Sequence, residues 1–232
     1  MAGTWAFGIT AIIIVLGASA MVCPSFFIPK TGNGGVTGFA SQATGTINIK
    51  PTGPSSCSVP LVKGWNFISM CAETGNTEIP YVLSSIEGKY KYVAEWDESA
   101  DKFIVYSPND PDPPFDSFDL HKSYFLFFIE DSGTLELAGP EFGDMDISLA
   151  KGKNTPTWPY HFTAEVSRYL ETIEGDYKFL MKWRGGEHGF ELYNPNMPNP
   201  PFTTISPGEG QFIMVTNPAG TLLQYDKSYL SS

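Results

Sequence analysis

The sequence predicts a mainly β protein with a minor helical part, built as two tandem homologous β-rich modules, each of about five strands and one short helix. Three observations predict it. Nearly the same stretch is written at residues 86–118 and again at 173–205; runs rich in aromatic and β-branched residues alternate in both with Gly- and Pro-rich turns; and only one segment per copy has helical periodicity. Ile86, Glu87, Gly88, Tyr90, Lys91, Trp96, Phe103, Tyr106, Pro108, Pro113, Pro114 and Phe115 recur as Ile173, Glu174, Gly175, Tyr177, Lys178, Trp183, Phe190, Tyr193, Pro195, Pro200, Pro201 and Phe202, all 87 positions apart (175 − 88 = 87). Phe125 with Phe212, and Gly133-Thr134-Leu135 with Gly220-Thr221-Leu222, continue that offset, whereas Leu61, Lys63, Gly64 and Asn66 match Leu149, Lys151, Gly152 and Asn154 at 88.

The 232 residues then divide into an apolar segment at 1–22, a Gly/Thr/Ser/Pro-rich stalk at 23–58, module 1 at 59–140 and module 2 at 141–232. In the first segment an apolar run from Trp5 to Leu16 precedes Gly17-Ala18-Ser19-Ala20, and the small residues at 18 and 20 match a secretory cleavage signal. The alternative is a retained helix over 5–22, long enough to cross a bilayer or to assemble a filament. In the stalk, Thr46-Ile47-Asn48-Ile49-Lys50 alternates as an edge strand does. Cys57 and Cys71 flank an apolar strand-like run; a disulfide between them closes a loop of about 15 residues and contributes ~3 kcal/mol in the chain-entropy view. Cys23 is left over.

Each module opens with a strand, 61–69 in the first. Ile79, Val82, Leu83 and Ile86, like Val166, Tyr169, Leu170 and Ile173, fall at i, i+3, i+4 and i+7, which predicts a helix of about two to three turns. Thr77 and Thr163 suit its N-cap, Glu78 and Glu165 its first turn, and Gly88 and Gly175 a left-handed position just past its end. Strands at 90–96 and 103–106 follow, joined through Asp97–Asp101, and the Pro-rich loops at 108–114 and 195–201 lead to Phe115 and Phe202 as anchors. Strands at 123–130 and 134–137, and at 211–216 and 221–225, close the units around turns at 130–133 and 217–220.

A net charge of −11 disfavours nucleic acid and anionic membranes as partners, so the membrane enters only through residues 1–22 if they are retained. No zinc-protease, nucleophile-elbow or phosphate-loop motif occurs. His121, His161 and His188 are isolated, and Gly32-Asn33-Gly34-Gly35 precedes no helical pattern. Asp110, Asp112, Asp116 and Asp119, and separately Asp97, Glu98 and Asp101, offer oxygen ligands for calcium. The first set becomes Met197, Asn199, Thr203 and Ser206 in the second copy, so solvated loop charge is the plainer reading. The recurring Trp96/Trp183 and Tyr106/Tyr193 read as core and hairpin packing. Trp65, replaced by Lys153, and Trp158, without a counterpart, belong to single copies and are the candidate ligand-facing aromatics.

Leu61-Val62-Lys63-Gly64-Trp65-Asn66-Phe67-Ile68-Ser69, followed by Ile86-Glu87-Gly88-Lys89-Tyr90, Val93-Ala94-Glu95-Trp96-Asp97, Phe103-Ile104-Val105-Tyr106-Ser107-Pro108 and Lys122-Ser123-Tyr124-Phe125-Leu126, resembles the GWNLIS repeat module of archaeal and bacterial secreted and cell-surface proteins. The second copy carries Lys151-Gly152-Lys153-Asn154-Thr155-Pro156 at the signature. The resemblance implies an extracellular β-rich module with no catalytic residues to carry over. The expected protein is a non-enzymatic exported cell-surface protein with a structural or adhesive role, needing no cofactor, whose partners are envelope components, glycans or like subunits. Alternatives are an extracellular filament subunit and a carbohydrate-binding or hydrolytic domain.

Overall fold

The computed structural model describes residues 56–186 and 189–231. Expectations for the apolar segment at 1–22, Cys23, the stalk as far as residue 55 with its strand at 46–50, and His188 lie outside these residues. All described residues belong to one compact unit, and among them no helix is long and apolar enough to cross a membrane.

The first copy contains β1 (Ser56–Ser69), α1 (Ile79–Val82) with a 3-10 turn at Ser84–Ile86, β2 (Tyr90–Asp97), β3 (Lys102–Tyr106) and β4 (Ser123–Ala138). The second contains β5 (Met145–Leu149), β6 (Gly152–Asn154), β7 (Ala164–Glu165), α2 (Val166–Tyr169) with a 3-10 turn at Glu171–Ile173, β8 (Tyr177–Trp183), β9 (Phe190–Tyr193), β10 (Thr204–Ile205), β11 (Gln211–Val215), β12 (Thr221–Tyr225) and α3 (Lys227–Leu230). The main sheets run β1-β4-β2-β3 and β6-β11-β8-β9, so equivalent strands take the same order, and β5 pairs with β12 where β1 and β4 continue as one ribbon. Every pairing is antiparallel.

That ribbon turns a corner. Fourteen residues of straight strand span roughly 46 Å, yet Cys57 and Cys71, 14 apart, have Cα atoms 5.9 Å apart and form the expected disulfide. The bend is the bulge between Val62 and Gly64, where Gly64 takes φ +93°. Asn66 holds it: its Oδ1 accepts from Val62 N–H at 2.9 Å and its Nδ2 donates to the carbonyls of Val62 and Gly64 at 2.7 and 3.0 Å. Asn154 makes the same three bonds to Ala150 and Gly152, at 2.9, 2.7 and 3.1 Å, with Gly152 at φ +108°. The repeated Lys-Gly-x-Asn is therefore a corner whose Gly supplies the dihedral and whose Asn satisfies the freed backbone groups.

The strands expected at 123–130 and 134–137 do not pair with each other. They are one strand, β4, paired with β1 along both halves, which leaves the first module with four strands, close to the five or so expected. Its first half is buried on both faces while its second half alternates, with Leu135 and Leu137 inside and Glu136 outside. In the second copy the corner opens into breaks between β5 and β6 and between β11 and β12. The Gly-Thr-Leu register also slips there: Gly133 lies opposite Leu61, but Thr221, not Gly220, lies opposite Leu149. Leu223 is buried and Leu222 is 43 % exposed, so the inward alternation overrides the sequence identity.

The helical segments span the expected residues at the short end of the expected two to three turns, as one α-turn followed by a 3-10 turn. Glu78 and Glu165 occupy the N-caps without a side-chain bond, in place of Thr77 and Thr163. The downstream expectation holds: Gly88 and Gly175 follow the last helical turn at φ +72° and +86°. Each module has its own core, around Leu61, Ile79, Leu83, Tyr124 and Phe128 in the first and around Trp158, Tyr169, Leu180 and Tyr225 in the second.

Candidate functional site

The second face of each main sheet needs cover, and the two copies cover one another. Phe67, Ala94, Trp96, Phe125 and Phe212 form a third buried cluster with Trp65, Met181 and Trp183 against it. The contacts are reciprocal. Trp96 meets Phe212 at 6.0 Å and 85°, and its counterpart Trp183 meets Phe125, the counterpart of Phe212, at 5.6 Å and 84°. Phe103 and Phe190 pack on Phe212 and Phe125, each at 6.1 Å. The Trp96 indole N–H donates to Lys153 O at 3.2 Å, and that of Trp183 to Trp65 O at 2.8 Å.

Backbone bonds follow the same rule. Ser69 N donates to Gly208 O and Thr157 N to His121 O; Gly210 N donates to Phe67 O and Ser123 N to Thr155 O. Residue i of one copy meets j of the other while their counterparts meet in return, which is the geometry of an isologous interface held within one chain. Trp96 and Trp183, expected in module cores and hairpins, thus build the seam between modules; a sequence pattern reports that a face is apolar but not what covers it. An ion pair recurs beside the seam with its charges exchanged: Lys122 pairs with Glu95 at 2.7 Å, and their counterparts Glu209 and Lys182 pair at 2.6 Å.

Two crevices flank this seam at equivalent places, about 250 and 340 Å³ in volume. The first presents Glu98, Asp119, His121 and Lys122; the corresponding positions in the other are Gly185, Ser206, Gly208 and Glu209. Burial pushes the Glu98 carboxyl up against the pull of Lys122, with Glu95 and Asp119 adding to the rise. The acidic loops considered for calcium close turns instead. Asp97 accepts from Ser99 N–H, Ser99 Oγ–H and Ala100 N–H, Asp110 from Asp112 N–H, and Asp119 from His121 N–H. Among the described residues no three His, Cys, Asp or Glu side chains come together as a metal site would need.

The two candidate ligand-facing tryptophans separate. Trp158 is fully buried in the second core, its indole N–H bonded to Phe162 O at 2.9 Å and its ring against Tyr160, Tyr169 and Tyr225. It faces no ligand. Trp65 is half-buried at the rim of the seam, where Tyr92 stacks near it at 6.5 Å and 24° and Phe127 meets it edge-on at 5.1 Å. Tyr92 and Phe127 are also partly buried, and the second copy has Lys153, Phe179 and Met214 in these places.

A further pair of grooves was not singled out from the sequence. One, of about 450 Å³, is lined by Leu83, Glu87, Tyr90, Tyr106 and Pro108. The other, of about 260 Å³, is lined by their counterparts Leu170, Glu174, Tyr177, Tyr193 and Pro195. The signal was present in the repeat: Glu87 and Glu174 are identical in both copies, yet exposed. No protein-family model matches the chain, and neither a curated protein nor a solved structure matches it.

Proposed function

We propose that the chain is a non-enzymatic exported surface protein of the GWNLIS-repeat kind, acting in adhesion, and that Trp65, Tyr92 and Phe127 are its contact with envelope glycans. The observation that carries this reading is the partly exposed aromatic cluster on one module only, mounted beside a seam that fixes its backbone. Sugar rings present C–H faces that pack on aromatic rings, and a cluster of three anchors of this type supplies contact area at low conformational cost. The disulfide fits an oxidising compartment.

The experiment is a pull-down of the protein on insoluble polysaccharides and on native envelope material, read with the Trp65→Ala variant alongside. Retention of the parent and its loss in the variant support the proposal, with no release of reducing sugar. Equal retention of both proteins, or hydrolysis of the glycan, overturns it.

A further inference from the structure

The two crevices beside the seam occupy equivalent places and differ in chemistry. Where the one at β1 carries Gly185, Ser206, Gly208 and Phe67, the one at β6 carries Glu98, Asp119, His121 and Thr155. At all four positions the crevice at β6 has the more polar side chain, and the fold leaves much of that polarity unused. Thr155 follows Asn154 as Phe67 follows Asn66; it is 1 % exposed, and its hydroxyl has no hydrogen-bond partner among the described residues. Burying a hydroxyl without a partner is unfavourable, a cost that the ring of Phe67 avoids at the same place. Glu98 holds no hydrogen bond among the described residues; burial pushes its carboxyl up although Lys122 pulls it down. Asp119 Oδ1 accepts from His121 N–H and faces Nδ1 of the same ring at 3.1 Å, which leaves the second carboxylate oxygen and Nε2 for another partner.

The mixture of charges selects the ligand. An anion would meet Glu98, Asp119 and Asp146, and a cation would meet the Lys122 ammonium, itself held 2.7 Å from Glu95. A neutral polyhydroxyl ring suits both, because each hydroxyl donates to a carboxylate oxygen and accepts from an ammonium or another hydroxyl. Its C–H groups find an apolar floor in Ile147, Leu149 and Pro156, all buried. At about 250 Å³ the crevice is smaller than the roughly 300–1,000 Å³ of pockets for drug-sized ligands, so it takes a single ring and not a chain.

We propose that the crevice formed by Glu98, Asp119, His121, Lys122 and Thr155 binds one neutral monosaccharide unit. This site is distinct from the Trp65 cluster and does not rest on it. The test is an NMR titration of the full chain with the methyl glycosides of glucose, galactose and mannose, and with the charged sugars glucosamine and glucuronate. At least one neutral glycoside shifts the amide signals of Glu98, His121 and Thr155 to saturation, and both charged sugars bind about tenfold more weakly or worse. Glu98→Ala weakens the neutral probe by about tenfold or more. Thr155→Val removes the hydroxyl at nearly constant volume; it weakens the probe similarly yet melts no lower than the parent, a combination that a packing role would not give. No saturating shift with any neutral glycoside, equal or tighter binding of a charged sugar, full binding in either variant, or a lower melting temperature in Thr155→Val overturns the inference. The Trp65 indole N–H reports the aromatic cluster separately: a shift there without one at the crevice overturns this inference and leaves the adhesion reading standing.

Discussion

Phe125→Ala removes the ring on which the seam converges. Phe125 is 8 % exposed, stacks on Phe67 at 4.3 Å and meets Phe103 and Trp183 at 5.5 and 5.6 Å and Phe190 and Phe212 at 6.1 and 6.2 Å. Truncating a buried phenylalanine costs about 3–5 kcal/mol, against a total stability for ordinary domains of about 5–15 kcal/mol. Because three of these five partners belong to the other copy, the loss falls on the coupling between modules and not on one core. Leu126→Ala, on the neighbouring residue that points into the first core, is the control. Urea unfolding followed by tryptophan fluorescence and far-UV circular dichroism reads the outcome. The parent and Leu126→Ala unfold in coincident transitions, while in Phe125→Ala the two probes separate. A loss below about 1 kcal/mol, or coincident probes in Phe125→Ala, refutes the reasoning.

The exchanged ion pairs predict that Glu95→Lys, which sets two ammonium groups together, costs about 1–3 kcal/mol, and that Glu95→Lys with Lys122→Glu recovers most of it by recreating the order found at Lys182 and Glu209; a double-mutant cycle in chemical denaturation measures the coupling. Gly88→Val should cost about 1–2 kcal/mol through its left-handed φ alone, since a Cβ at this position would meet no atom within 4 Å, and Lys89→Val should do little in the same thermal melts. Burial opposes the Glu141 charge, but the Lys227 ammonium and the His161 N–H more than offset it and hold the carboxyl below its ordinary 4.5. Its folded value is depressed, so its contribution is present above pH 4.5 and is lost as pH falls through that lowered value; Glu141→Gln should flatten this part of the stability profile in acid denaturation.

The repeat, the positive-φ glycines and the disulfide were legible because each is written in local residue identity. Gly88 and Gly175 are needed where the chain reverses into β2 and β8, and no other residue takes that dihedral cheaply. The corner at Gly64 and Asn66 was visible as a motif but not as a bend, because its function is to redirect a ribbon whose partner strand lies about 60 residues away. For the same reason residues 130–133 looked like a turn: exposed Glu130, Asp131 and Ser132 mark both a hairpin tip and the outside of a bulge. Trp96 and Trp183 repeat as core residues do, and only the fold reveals that they pack on the other copy. The identity of Glu87 and Glu174 was read, but their exposure could not be.

The most direct test of the seam is amide hydrogen exchange at Ser69, Ser123, Thr157 and Gly210, four N–H groups among the described residues that donate from one copy to a carbonyl of the other. Reciprocal docking predicts that all four are protected together in the parent and lose protection together in Phe125→Ala, while the N–H groups between β2 and β3 keep theirs. Fast exchange at these four positions in the parent, or protection that survives in Phe125→Ala, would contradict it.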